Sequence, residues 1–218
     1  MLESFKTVYE GGVGEITEKK SRFIANVIPV DSEAAAIEFI EQTKKKYQDA
    51  THNCSAYVIG QHDEIQRCSD DGEPAKTAGW PMLDVLLREK LHNTAVVVTR
   101  YFGGTLLGTG GLVHAYQEAT KEGLKNSVII EKKLGGKLLI TTDYNGIGKL
   151  QYIAAQMELT SLKTEYTDIV TLTILVPTQQ LEEFKKKVTE ATGGKATIED
   201  LGNAYYANVS GEILLFED

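Results

Sequence analysis

Cysteine is nearly absent from this chain, long apolar runs are missing, and basic residues are outnumbered by acidic ones, 23 to 31. Each shortage excludes something. Two cysteines, Cys54 and Cys68, cannot build a disulfide framework, and a reducing compartment suits them. No apolar stretch approaches the roughly 18 residues of a membrane span, so no membrane partner is expected. The opening "MLESFKTVYEGG" has Glu3 and Lys6 where a signal peptide would have its apolar segment, which points to the cytoplasm. The net charge of −8 repels phosphate backbones at long range, and the halves on either side of residue 134 are both net acidic. Any RNA contact must therefore come from a local basic patch. No internal repeat or low-complexity tract is present.

What remains is an ordinary globular composition, 42% hydrophobic and 25% charged over 218 residues. The periodicities divide the chain at 1–134 and 135–218. In the first part, "FKTVYEG", "GEITEKK" and "RFIANVIPV" read as strands, with Gly11-Gly12 as a turn. "DSEAAAIEFIEQTKKKY" reads as a helix, capped by Asp31 or Ser32, with Ala36, Ile37 and Ile40 inward and Lys44–Lys46 near its end. "CSAYVIGQHDEIQRC" reads as a hairpin. Pairing Ile59 with Glu64 would turn Cys68 away from Cys54, and a one-residue slip would bring them to one face. Two buried thiols are expected rather than a bond. "WPMLDVLLREKL" is a short helix with Pro81 in its first turn and Leu83, Leu86 and Leu87 on one side. "TAVVVTRYF" has the continuous apolar character of a strand buried on both faces. A last helix starts near Thr109, with Leu112, Tyr116, Ala119 and Gly123 on its packed side and His114, Glu118 and Lys121 opposite.

"EKKLGGK" reads as a linker. Beyond it the order strand, helix, strand, strand, helix, strand gives the βαββαβ pattern of a ferredoxin-like domain, so the fold class is α+β in two domains. The closing "VSGEILLFED" is an edge strand or a tail.

Five of the nine residues from Gly103 to Gly111 are glycine. A glycine turn between a strand and a helix presents bare amides to an anion, through Gly103, Gly104, Gly108, Gly110 and Gly111. Neither a P-loop nor a G-x-G-x-x-G pattern fits, because Thr109-Gly110 and Val113 stand at the deciding positions. Sharp turning with close helix–sheet packing explains the same glycines equally well, and both readings stay open. Asp70, Asp71 and Glu73 form an acidic cluster that suits a hard cation such as Mg²⁺, or a proton acceptor, only if folding brings it beside Arg100 and the glycine turn. Otherwise the three shape a turn around Gly72. His52 and Cys54 would share a strand face, but no second metal half accompanies them, so no metal site is assigned. Lys20 and Arg22 lie on one face of a short basic strip that begins at Lys19. Arg100 is placed to pair with a phosphate, Tyr101 or Tyr116 to stack on a base, and His114 to add a conditional charge.

Taken together, "EKKSRFIA", "HNCSAY", "SDDGEPAKTAGWPMLDVL" and "VVVTRYFGGTLLGTGGLVHAY" closely resemble the IMPACT family and its bacterial YigZ-like members, over most of the first 125 residues. The resemblance implies an N-terminal domain like the second domain of small-subunit ribosomal protein five. It also implies a C-terminal domain like the fifth domain of elongation factor G. Eukaryotic relatives regulate translation through an extra domain, and the bacterial members look like ribosome- or RNA-associated proteins. A translation-associated binding protein, with the ribosome, RNA or a translation factor as partner and no catalytic residue or cofactor, is therefore expected. The same first-domain fold occurs in small-molecule kinases, which gives the alternative of an enzyme acting on a nucleotide or phosphorylated small molecule. An acidic second domain docking onto a basic surface is a third reading. Leu106 stands where the family commonly has lysine and His114 where it commonly has arginine, and both departures remove charge beside the glycine turn.

Overall fold

The computed structural model describes residues 1–216, and the chain forms two compact units. Phe5–Glu131 make the N-terminal unit, and Met1–Ser4 join the residues from Lys132 onward in the second. The division falls between Glu131 and Lys132, three residues before the expected boundary at 134/135.

In the N-terminal unit the strands are β1 (Ser4–Glu10), β2 (Val13–Glu18), β3 (Ser21–Pro29), β4 (His52–Ile59), β5 (Ile65–Ser69), β6 (Leu91–His92) and β7 (Thr94–Tyr101). The helices are α1 (Glu33–Lys46), α2 (Gly79–Arg88) and α3 (Gly108–Lys125). Five strands make an antiparallel sheet in the order β2-β3-β7-β4-β5, while β1 and β6 pair in parallel. One sheet face carries Phe23, Ala25, Val27, Cys54, Ala56, Val96 and Val98 into a core shared with Leu83 and Leu86 of α2 and Leu112, Tyr116 and Ala119 of α3. The other face presents Tyr57, Ile59 and Ala95 to Ala36, Phe39 and Ile40 of α1. Central β7 is thus covered on both sides, as its unbroken apolar run foretold.

Local signals explain most boundaries. Ser32 caps α1 by accepting from the Ala35 amide at 3.3 Å. Ile37, expected inward, is 50% exposed, and Phe39 takes its place against the sheet. The hairpin register places Ala56 opposite Cys68, one residue away from the expected pairing. Cys54 and Cys68 therefore share a face, yet both are free: Cys54 is buried and Cys68 exposed, which corrects the expectation of two buried thiols. Helix α3 can lie close on the sheet because glycines meet there. A Cβ on Gly14 would sit 2.4 Å from the Gly123 nitrogen, and one on Gly123 would press Ala25 and Val27 at 2.9 Å.

The second unit runs β8 (Val128–Thr142), α4 (Tyr144–Gln156), β9 (Thr160–Tyr166), β10 (Val170–Pro177), α5 (Leu181–Thr192), β11 (Thr197–Val209) and β12 (Glu212–Phe216). Its strand order is β9-β10-β8-β11-β12, antiparallel throughout. Leu138, Ile140, Leu172, Ile174, Phe184 and Leu150 fill the space under α4 and α5. The segment "EKKLGGK" is strand, not linker. Gly135 and Gly136 are small because Tyr206 and Leu181 lie where their Cβ atoms would be, at 2.9 and 2.8 Å. The closing segment is an edge strand through Phe216; Glu217 and Asp218 lie outside the described residues.

Replacing Gly14 with alanine forces α3 away from β2 and is expected to cost about 1–3 kcal/mol in thermal or urea unfolding of the full chain. An unchanged midpoint would show that the helix has room to yield.

Candidate functional site

At one end of the N-terminal sheet the apolar core gives way to charge. Register places Phe23, Arg100 and His52 side by side on β3, β7 and β4. Arg100 is 5% exposed, and its Nη1 donates to Glu73 Oε1 at 2.6 Å. The Tyr116 hydroxyl of α3 donates to the same oxygen at 2.8 Å, and the Cys54 thiol lies 3.3 Å from that hydroxyl. His52 Nε2 stands 3.9 Å from the other Glu73 oxygen, while its Nδ1 meets the Asp71 carbonyl at 2.8 Å. Arg100 is also flanked by the rings of Phe23 and Phe102, 5.4 and 5.6 Å from its Cζ. Burial pushes both the Cys54 thiol and the Tyr116 phenol well above their usual ranges, so neither ionises near neutrality. Arg100 and Tyr116, expected at a contact surface, are instead pieces of this interior cluster. Desolvating a guanidinium is tolerable only with a carboxylate against it, and Glu73 supplies that.

The other two acids are equally engaged. Asp70 accepts from the amides of Lys76, Ala78 and Gly79 at 2.8, 3.0 and 2.8 Å, which closes the loop onto the start of α2. Asp71 accepts from the Asn53 amide at 2.7 Å and pairs with Lys44 at 3.0 Å. Of the acidic cluster, Glu73 lies against Arg100, while the Asp70 and Asp71 oxygens serve the chain's own donors. Among the described residues no group of three or more His, Cys, Asp or Glu is arranged to hold a metal ion.

The glycine turn divides by role. Gly103 is there for packing: its Cβ would fall 2.1 Å from the Lys20 carbonyl carbon, and its amide donates to Ser21 Oγ at 3.1 Å. Gly104 and Gly108 hold φ values of +82° and +74°, which side chains disfavour. Gly111 lies close on Leu107, with its Cβ position 3.1 Å away. Gly110 has neither reason. Its φ is not positive, and apart from its chain neighbours and the backbone of its own helix no atom lies within 4 Å of its Cβ position. Helix α3 begins without a side-chain cap, so the first-turn amides at exposed Gly108, Thr109 and Gly110 have no acceptor from a capping residue. Steric relief accounts for part of the cluster and leaves Gly110 over.

Beside this turn, through the Gly103 contact, lies the tip of the β2–β3 hairpin. Lys19 and Lys20 form its two-residue loop, rather than the strand expected, with φ of 44° and 70°. Two positive φ values mark a type I′ turn, where Asn-Gly is cheap and a longer side chain costs about 1–2 kcal/mol per residue. Both lysines are exposed, and no ion pair engages either among the described residues. Arg22 does not share a face with Lys20. It forks onto Glu15 at 2.8 and 3.1 Å, holding that carboxyl below its ordinary range, and lies 5.7 Å from the ring centroid of its cross-strand neighbour Tyr101. The Tyr101 hydroxyl donates to Asp49 at 2.8 Å. Phe102 is 47% exposed and its amide donates to Thr51 Oγ1 at 3.2 Å. Leu106 is 83% exposed, and His114 is exposed on the outer face of α3. Residue periodicity gave no sign of Phe102, because an aromatic at a strand end ordinarily turns inward.

The Impact N-terminal domain profile matches residues 19–124, and a second profile, a domain of unknown function (DUF1949), matches residues 140–195. The chain is 43% identical over 200 residues to the IMPACT family member YvyE of Bacillus subtilis (strain 168), covering 92% of each. It is 35% identical over 178 residues to the IMPACT family member YigZ of Escherichia coli (strain K12), covering 81% of this chain and 87% of that one. A crystal structure of a hypothetical protein aligns with a TM-score of 0.59 at 31% identity, covering 91% of this chain and 97% of the other.

Glu73→Gln strands the buried guanidinium beside a neutral amide and is expected to destabilise the chain by about 3–5 kcal/mol. Denaturant unfolding measures this, and a loss under 1 kcal/mol would mean that water reaches Arg100. For the thiols, Ellman's reagent should modify one cysteine per native chain, Cys68, and both only after denaturation. The Cys68 rate should still be rising above the ordinary thiol range, because burial, then the Asp70 charge, raises its pKa. Two fast thiols in the native chain would contradict the burial of Cys54.

Proposed function

Since this chain belongs to the IMPACT family, we propose that it is a translation-associated regulatory protein of the cytoplasm, binding RNA or the ribosome through the glycine turn of its N-terminal unit. In fold terms the N-terminal unit is assigned to the class of the second domain of small-subunit ribosomal protein five. The C-terminal unit is assigned to the ferredoxin-like class of the fifth domain of elongation factor G, supported by its βαββαβ connection and strand order.

One observation carries the binding assignment. The glycine turn that leads into the uncapped start of α3 packs, at Gly103, against a hairpin tip whose two lysines have no ion pair among the described residues. Bare amides at a helix N-terminus and free ammonium groups both favour phosphate, and together they form the local basic patch that an acidic chain needs to meet RNA. The buried cluster behind them serves as a rigid mount. A nucleotide-processing enzyme would need a carboxylate free for a cation or a proton near the turn. Asp70 and Asp71 have both oxygens on protein donors, and Glu73 Oε1 is held by Arg100 and Tyr116 while its Oε2 lies buried 3.9 Å from His52, which favours that reading less.

Gly110→Asp tests the assignment. A carboxylate in the first turn of α3 favours the helix while opposing an incoming phosphate, and replacing the helical glycine itself gains up to about 1 kcal/mol. The melting temperature should hold or rise. Co-sedimentation with ribosomes should fall sharply at low salt, where the unsubstituted chain pellets, and both should dissociate at high salt. No pelleting of the unsubstituted chain at low salt, or equal pelleting of the two, would overturn the proposal.

A further inference from the structure

We propose that the ligand of this face is single-stranded nucleic acid, with its phosphodiesters held by Lys19 and Lys20 and one base stacked on Phe102. The inference rests on the RNA-binding reading of the same surface and narrows it to a strand state and a mode of contact.

The first support is the strain at the hairpin tip. Both loop residues occupy the left-handed region, where asparagine and glycine sit without penalty, yet both are lysine. Neither ammonium recovers the cost through an ion pair among the described residues. Strain of this kind persists where a side chain has work outside the fold, and two adjacent charges on a rigid turn are suited to successive phosphates. A turn of this type fixes the direction of both Cα–Cβ bonds, and the four torsions of each lysine are ordered on binding.

The second support is the ring of Phe102. It is 47% exposed at the end of β7, immediately before the turn that Lys20 packs against. Its backbone is tied to Thr51, and the buried Arg100 guanidinium lies 5.6 Å from its centroid. An aromatic fixed from within and open to solvent is a stacking platform, and any base presents a suitable face. Next to it, Tyr101 is braced by Arg22 and Asp49. Aromatic rings interleaved with cations make the pattern by which proteins hold unpaired strands. Duplexes conceal their base faces, so Phe102 has nothing to stack on there, and the net charge of −8 disfavours binding by phosphate attraction alone. The ligand is defined by an unpaired base next to phosphodiesters, which RNA and DNA both supply.

The experiment uses the full chain and fluorescence anisotropy, with labelled oligouridylate, oligothymidylate and a short RNA duplex, each at low and at high salt. Oligouridylate should bind at low salt at least about ten-fold more tightly than the duplex, and high salt should weaken it. Lys19→Asn with Lys20→Gly should raise the melting temperature by about 2–4 °C or more while weakening oligouridylate about ten-fold or more. Phe102→Leu keeps an apolar side chain and should weaken binding about five- to fifty-fold. Equal affinity for oligothymidylate upholds the proposal without 2′-hydroxyl recognition; tighter RNA binding upholds it with such recognition. The proposal is overturned if neither oligonucleotide binds at low salt, if the duplex binds as tightly, or if either variant binds like the unsubstituted chain. Loss of oligonucleotide binding while ribosome co-sedimentation persists sinks this inference alone; loss of both sinks the broader reading with it.

Discussion

A guanidinium and a carboxylate meeting out of water organise one end of the N-terminal unit. Glu73 reaches Arg100 from a loop, and the same oxygen receives the hydroxyl of Tyr116 from α3. Sheet, loop and helix are thereby joined at one atom. Such a pair adds little net stability against an apolar substitute, yet it is intolerant of losing either half. Its contribution is positional. It fixes the end of β7, and with it Tyr101, Phe102 and the turn that follows.

Around this mount the charges sort by purpose. The three acids are matched: Asp70 with three amides, Asp71 with Lys44 and the Asn53 amide, Glu73 with Arg100, whose Nε is left without a partner. Outward groups on the hairpin tip and the start of α3 are left open. Within the glycine turn, Gly103 and Gly111 pack closely, Gly104 and Gly108 hold positive φ, and Gly110 is explained by neither contact nor dihedral angle.

Sequence reasoning reached the architecture more readily than the site. The run Ala95–Val98 and the spacing of Leu112, Tyr116, Ala119 and Gly123 each answer to one rule, burial on two faces or on one helical stripe, and both were legible. Arg100 was not. A basic residue at a strand end ordinarily reaches water, and its partner lies 27 positions earlier in a loop with no periodicity to place it. Tyr116 sat correctly on the packed side, but its hydroxyl's acceptor is a tertiary fact. The pair Gly135-Gly136 suggested a linker because small residues usually loosen a chain; here they admit Tyr206 and Leu181. Lys19 and Lys20 continued an alternating pattern, and only the backbone dihedral angles reveal that the strand had ended.

The loop from Asp70 to Gly79 contains no regular element before α2, and by that measure it would pass for a mobile connection. Its carboxylates bind backbone amides within the loop and on β4, while Glu73 is sealed under Tyr116. Opening it means giving up these bonds and exposing a buried charge in the same event. By this bonding the segment is tied to the core, and its opening is expected to accompany unfolding of the unit around it rather than to precede it.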